Sequence, residues 1–288
     1  MKPTAFEYRA PATLQEAVSL LAADPEAIVI AGGQSLMPVL AFRLASPSML
    51  VDLRRVAGLD AITIDDTGIR LGARVRWRDI EDSEWLAIAH PLLRAAIDHV
   101  AHYQIRNRGT VGGSLAYADP AAELPGIAVT CDAEVTLVGA AGARTIAACN
   151  FFTGPLATLR QTDEIVTELH LPFWPAERRW AFQEFAQRQG DFALAGIALF
   201  YDEDPHNQVR DAHVGVIGAC ARPQRLAAVE TLLNGHSIDD ALIGEAAAVA
   251  ARTVDPPDDV HAGAAYRRAL VATLVERSLR AAAQDRHA

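Results

Sequence analysis

The chain has 288 residues, 51% of them hydrophobic and 22% charged, with a formal net charge of −10. That length accommodates two or three packed units, and the balance is that of a globular protein rather than a disordered one. The acidic excess disfavours nucleic acid and anionic membranes as partners.

The first expected element is a short strand over residues 6–9. Thr13-Leu14-Gln15-Glu16 then has the pattern of a capping box, opening an amphipathic helix that carries Ala17, Leu20 and Leu21 and ends before Pro25. Residues 27–30 form an apolar strand that delivers a first glycine loop, Ala31-Gly32-Gly33-Gln34-Ser35-Leu36. A helix over 36–44 and a strand over 50–53 complete a small α/β unit, residues 1–57.

The second unit, residues 58–175, opens with strands on either side of the turn Asp65-Asp66-Thr67-Gly68 and continues with a helix over 91–101. A second glycine loop follows, Arg106-Asn107-Arg108-Gly109-Thr110-Val111-Gly112-Gly113-Ser114. Its tail, Leu115-Ala116-Tyr117-Ala118-Asp119-Pro120-Ala121-Ala122-Glu123-Leu124-Pro125, leads into a helix over 120–130. A hairpin around 139–142 and a strand over 163–172 close the unit, and Pro172, Trp174 and Pro175 mark its end. In the third unit, residues 176–288, three strand-like runs (180–186, 193–201, 212–217) precede helical segments at 223–233, 237–251 and 264–283. The expected class is therefore α+β: a two-part α/β module, then a C-terminal domain of a three-stranded antiparallel sheet plus helices.

Both glycine loops set paired glycines beside small hydroxyl residues. Lacking Cβ, such pairs let main-chain N–H groups converge on one point and let a ligand approach the backbone, as a diphosphate requires; a Gly-Gly pair taken singly is more often a tight turn. There is no G-x-G-x-x-G, so a dinucleotide would be held without the Rossmann fingerprint. Lys2 is the only lysine, which excludes a P-loop lysine and a lysine Schiff base and leaves arginine or backbone amides to meet phosphate. Cys131, Cys149 and Cys220 are dispersed, which argues against a disulfide framework or a resident iron–sulfur cluster and fits a reducing cytoplasm. The start of the chain has no signal-peptide core, and the longest nearly apolar run, 192–201, falls far short of the ~20 residues that span a bilayer, so a soluble cytoplasmic protein is expected. His99 and His102 are spaced for a metal, but without a third ligand the better account is favourable charge at a helix C-terminus.

The AGGxSL loop, the RNxGTxGGS loop and the ADPAAELP tail, in this order and spacing, resemble the FAD-binding medium subunit of the molybdenum hydroxylases. The likeness is to the carbon monoxide dehydrogenase medium-subunit type and extends to the FAD domain of xanthine dehydrogenases, over essentially the whole chain. It implies a non-Rossmann FAD site between the first two units and the third. One loop would contribute Ala31, Gly32, Gly33, Gln34, Ser35 and Leu36, and the other Thr110, Gly112, Gly113 and Ser114. Many relatives carry histidine where this chain has Gln34, which keeps an amide donor. Glu123 matches a carboxylate that accepts from ribityl or adenosine hydroxyls. Asp119 either contacts the ligand or caps a helix starting at Pro120. Val166 matches a position beside the flavin, although plain sheet core is the favoured reading for it, and Asp191 and Phe192 fall in a segment like the family's lid over the isoalloxazine.

The resemblance further implies an oxidoreductase subunit with no catalytic residue and no metal of its own. A large subunit with a molybdenum cofactor would oxidise the substrate, a small subunit with [2Fe–2S] clusters would relay the electrons, and FAD on this chain would receive them for an external acceptor. The assembly would be a heterotrimer or a dimer of heterotrimers, with a stable interface beside the glycine loops. Two alternatives stand beside this: a self-contained flavin oxidase of the vanillyl-alcohol type, which needs a larger substrate domain than the stretch after Pro175 offers, and a non-catalytic nucleotide-binding protein.

Overall fold

In the computed structural model, which describes residues 2–284, the apolar runs of the sequence assemble into three main sheets whose edges meet at one cleft. The first is a small parallel sheet. Strand β1 (Glu7–Arg9) is followed by helix α1 (Leu14–Ala23), strand β2 (Ile28–Ile30), helix α2 (Leu36–Ala41) and strand β3 (Met49–Asp52), with β3 between β1 and β2. Thr13 Oγ1 accepts from Glu16 N at 3.1 Å, while Glu16 reaches Ala12 N at 3.0 Å, one residue beyond the reciprocal contact of a capping box. Helix α2 is shorter than the expected 36–44 because Arg43 takes the left-handed conformation, φ +58°. The buried stripe of α1, Ala17, Val18 and Leu21, packs with Val51, Leu53 and Ile165, the last belonging to the second sheet.

That second sheet contains β4 (Ile62–Asp65) and β5 (Gly68–Gly72). The chain then forms α3 (Trp77–Glu81), α4 (Glu84–Ala89), α5 (Pro91–Ile97), α6 (Tyr103–Arg106), α7 (Val111–Tyr117) and α8 (Glu123–Thr130) before returning as β6 (Glu134–Gly139) and β7 (Gly142–Ala147). After the one-turn helix α9 (Ala148–Phe151), strands β8 (Phe152–Gly154) and β9 (Ala157–Thr158) make a separate two-stranded ribbon, and β10 (Ile165–Pro172) completes the sheet. The strand order β4-β5-β10-β6-β7 puts β10 at the centre, antiparallel to both neighbours, so the last strand of the unit in sequence is the middle one in space. A bulge at Val166–Glu168 leaves Thr167 O to accept from Ala73 N at 2.8 Å, which sets the backbone of Ala73 under the second glycine loop.

The third sheet runs β11 (Arg179–Phe185), β12 (Ala195–Glu203), β13 (Val209–Ile217) and β14 (Gln224–Arg225), all antiparallel. The three long strands are those expected. The fourth is two residues taken from the start of the expected helix 223–233: Gln224 and Arg225 extend the ladder against Val216 and Gly215, so helix α10 (Ala227–Leu233) begins later. Helices α11 (Asp240–Thr253) and α12 (Ala264–Gln284) cover one face. All eight residues of α8 are buried, because it lies between helices α5, α7 and α9 on one side and the third sheet on the other. A ring stack runs through the same seam: Trp174 lies 4.4 Å from His90 and 5.2 Å from Phe200, and the Arg178 guanidinium sits over both Trp174 and Phe200. Among the described residues no helix is long and apolar enough to cross a membrane.

Candidate cofactor cleft

A cavity of about 950 Å³ opens where the three sheets meet. This is at the upper end of the range for small-molecule and cofactor sites, roughly 300–1,000 Å³. Every site residue expected from the sequence lines it: Ala31, Gly32, Gly33, Gln34, Ser35, Leu36, Thr110, Gly112, Gly113, Ser114, Asp119, Glu123, Val166, Asp191 and Phe192.

The two glycine loops touch. A Cβ on Gly32 would fall inside the Arg108 carbonyl, so that glycine exists to let the loops close on each other. Gly33 has φ +72°, a conformation that opens the next residues toward the cleft and that a side chain resists. Among the described residues, the N–H groups of Gly33, Gln34, Ser35 and Leu36 have no protein acceptor, and neither hydroxyl, Ser35 nor Ser114, has a partner. The amide of Gln34 instead braces the loop, donating to Gly32 O at 3.0 Å.

Loop two differs. Its amides are spent on the protein: Val111 N donates to Val75 O, Gly112 N to Ala73 O, Gly113 N to the Thr110 hydroxyl and Ser114 N to Thr110 O. A Cβ on Gly112 would lie 2.5 Å from that of Ala73, so this residue packs α7 onto the end of β5. Gly113 has only Thr110 Oγ1 near its missing Cβ, at 2.9 Å, and leaves a bare wall toward the cleft. The sequence suggests two equivalent nests; in the structure the first loop offers free donors and the second offers close approach and the Ser114 hydroxyl.

Asp119 Oδ1 accepts from Ala121 N at 2.9 Å, in a turn before α8. It does not cap a helix at Pro120, since α8 starts at Glu123 behind Ala122. Burial raises the Asp119 carboxyl. Glu123 is 7% exposed, and burial, joined by the charge of Asp119, pushes it up to about 7. Val166 belongs to the buried core and also lines the cavity. Phe192 presents a ring 69% exposed at the mouth, beside Asp191 in a turn fixed by Asp191 N donating to Arg188 O at 3.1 Å.

The structure adds residues that the sequence did not single out. Arg160 lines the cleft with Nη1 donating to Gln161 O at 2.8 Å and Glu164 O at 2.9 Å. Arg267, on α12, donates to Leu194 O, Gly218 O and Asp259, fastening the third unit behind the Asp191–Phe192 turn. With Lys2 the single lysine, phosphate is left to arginine or backbone amides, but nothing local in the sequence distinguishes these two arginines from the others. Cys220 and His261 also line the cleft, and burial pushes the Cys220 thiol up to about 11, which makes it a poor nucleophile. His99 and His102 do not share a helix end: α5 stops at Ile97, burial lowers His99 below the usual imidazole value, and His102 precedes α6. Among the described residues no group of three or more His, Cys, Asp or Glu could hold a metal ion.

Residues 4–174 match the family described as the FAD binding domain in molybdopterin dehydrogenase, and residues 180–282 match the CO dehydrogenase flavoprotein C-terminal domain. The chain is 38% identical over 279 residues to the nicotine 6-hydroxylase medium subunit of Paenarthrobacter nicotinovorans, covering 97% of this chain and 98% of that one. Its backbone superposes on quinoline 2-oxidoreductase from Pseudomonas putida 86 with a TM-score of 0.94, at 37% identity over 99% of both chains. Against carbon monoxide dehydrogenase from Hydrogenophaga pseudoflava lacking the Mo-pyranopterin moiety, the TM-score is 0.94 at 32% identity, over 98% of both chains.

Proposed function

This chain belongs to the FAD-binding medium subunits of the molybdenum hydroxylases, and on that footing we propose that it is the electron-transfer subunit of such a complex, taking electrons from [2Fe–2S] clusters of a small partner subunit and yielding them to an external acceptor. A large subunit holding the molybdenum cofactor oxidises the organic substrate. The observation that carries this reading is the cleft itself, where four free main-chain donors of loop one face the bare Gly113 wall and Ser114 of loop two.

These residues fit FAD. The amides of Gly33 to Leu36, with the Ser35 and Ser114 hydroxyls, would hold a diphosphate, and Gly113 admits it without a Cβ in the way. Arg160 sets a guanidinium on the same cavity. Glu123 would accept from hydroxyls of the ribityl or ribose part, and Val166 and Phe192 would flank the ring. Bound FAD supplies one- and two-electron chemistry, which joins single-electron carriers to a two-electron acceptor. The chain's own residues bind it, orient it and exclude water around it.

Partner docking has a surface in place. Met37, Phe42 and Leu44 are large exposed apolar side chains on and just beyond α2, immediately after loop one. Such a patch beside a cofactor cleft suits burial against a second subunit.

The test is flavin extraction. Acid precipitation of the purified chain should release FAD into the supernatant at one per chain, since neither glycine loop carries a Cys or His and the Cys220 thiol is a weak nucleophile. A protein that neither contains flavin nor takes up added FAD contradicts the proposal.

A further inference from the structure

Arg106 opens the second glycine loop but does not line the cleft, although its neighbours Ile105 and Gly109 do. Its side chain is 17% exposed and is engaged on two sides. Nη1 donates to Val100 O and Ala101 O, both at 3.1 Å, while Nε and Nη2 each reach a carboxylate oxygen of Glu81 at 3.3 Å. The guanidinium fork thus ties α3, which ends at Glu81, to the turn between α5 and α6. That turn is one that needs holding, because Ala101 takes a left-handed conformation, φ +44°, which costs a residue with a Cβ.

The pinned turn is where the third unit rests. Gly190, φ +84°, sits so close that a Cβ on it would lie 2.5 Å from Nδ1 of His102 and 2.7 Å from Ala101 O. It immediately precedes Asp191 and Phe192 at the mouth of the cleft. In the other direction the same segment runs through α6 into the glycine loops. Gly109 N donates to Ile105 O at 2.7 Å, and the Arg108 carbonyl abuts Gly32, at the root of the free donors of loop one. A continuous path of contacts therefore leads from Gly190 through Ala101–His102, α6 and Arg108 to Gly32, and at both of its ends there is no room for a methyl group.

We propose that Arg106 is a positioning residue that couples the Asp191–Phe192 turn at the mouth of the cleft to the cofactor-binding amides of loop one. The inference rests on the FAD reading of the cleft. With Arg106 in place, residues 100–109 act as a strut: the seat under Gly190 fixes the Arg108 carbonyl, and the carbonyl fixes loop one. Linkage makes the effect mutual, so FAD held by loop one keeps Gly190 seated, and an unseated Gly190 loosens FAD. A side chain outside the cleft thereby sets both cofactor retention and the position of Phe192.

The test is a double-mutant cycle on the full chain. Arg106→Met removes the pins, and Gly190→Ala lifts the turn from its seat. Each should raise the FAD dissociation constant about tenfold, read from flavin fluorescence, and the double variant should bind no more weakly than either alone, because both changes act through one strut. Hydrogen–deuterium exchange in the FAD-free chain supplies a readout that a merely structural role would not move. Gly190→Ala should speed exchange at the amides of Asn107, Arg108 and Gly109, which are bonded within the strut, while the amides of the third sheet exchange as in the wild type. Gly190→Ala lies on a turn, so its two readouts keep the proposal testable if Arg106→Met folds poorly. Losses that multiply in the double variant, an unchanged dissociation constant in either single variant, or exchange at residues 107–109 that ignores Gly190→Ala overturns the coupling alone. A wild-type chain that takes up no FAD overturns the cofactor reading first, and the coupling with it.

Discussion

The glycines of the cleft look alike in sequence and do different things in space. Gly32 closes one loop onto the other, whereas Gly113 faces the cavity with a single close neighbour, Thr110 Oγ1. Gly113→Val should therefore lose most of its FAD while staying within about 1 kcal/mol of wild-type stability, the typical value of a disturbed N-cap. Gly32→Val should lose FAD and also lower the urea midpoint, because the Arg108 backbone has to move. Full flavin content in Gly113→Val would show that the diphosphate lies elsewhere. Ser35→Ala removes one neutral hydrogen bond and should weaken FAD binding by about 1 kcal/mol, read as a roughly fivefold rise in Kd. At this scale the sequence is informative wherever chemistry is local: paired glycines beside hydroxyls identify both loops. It is silent on which amides are already spent, since Ala73 and Val75, which consume two of them, lie more than thirty residues away on the approach from β5.

Elements were readable to the extent that their partners are near in sequence. The helix α1 and the three long strands of the third sheet follow from periodicity and turns. The central place of β10 does not, because its neighbours β5 and β6 come from far earlier in the chain and an apolar run looks the same at an edge as in the middle. The start of α10 differs from the expected residue 223 for a related reason: Gln224 and Arg225 belong to a strand only because β13 offers them a ladder. Arg267 joins elements of this kind. It is 3% exposed and its guanidinium satisfies Leu194 O at 2.7 Å and Gly218 O at 2.9 Å. Arg267→Met leaves those carbonyls unpaired and should cost about 3 kcal/mol in urea denaturation. A loss below about 1 kcal/mol would mean that α12 is not what holds the Asp191–Phe192 turn in place.

Across the whole molecule, buried titratable groups make stability depend on pH in both directions. In the FAD-free chain burial pushes the Glu123 and Glu184 carboxyls up to about 7 and about 9, above the value of about 4.3 for glutamate in an unfolded chain. Their contribution is thus fully present below about pH 4.3 and is lost as pH rises through 7 and 9. His90 is fully buried and lowered by desolvation to about 3, so the unfolded chain takes up its proton below about pH 6.5 while the folded one does not. Its contribution is present above that value and lost as pH falls toward 3. The urea midpoint should accordingly decline on both the acid and the alkaline side, and Glu184→Gln should flatten the alkaline decline; an unchanged alkaline profile in that variant would contradict the buried-acid assignment. The central claim, that this chain moves electrons but does not itself oxidise an organic substrate, is tested most directly by the visible spectrum under anaerobic conditions. Organic substrate of the complex should leave the flavin absorbance of the isolated FAD-loaded chain unchanged, and should bleach it once the chain is assembled with its iron–sulfur and molybdenum subunits. Bleaching by the isolated chain, or none in the assembled complex that turns over substrate, would contradict the account.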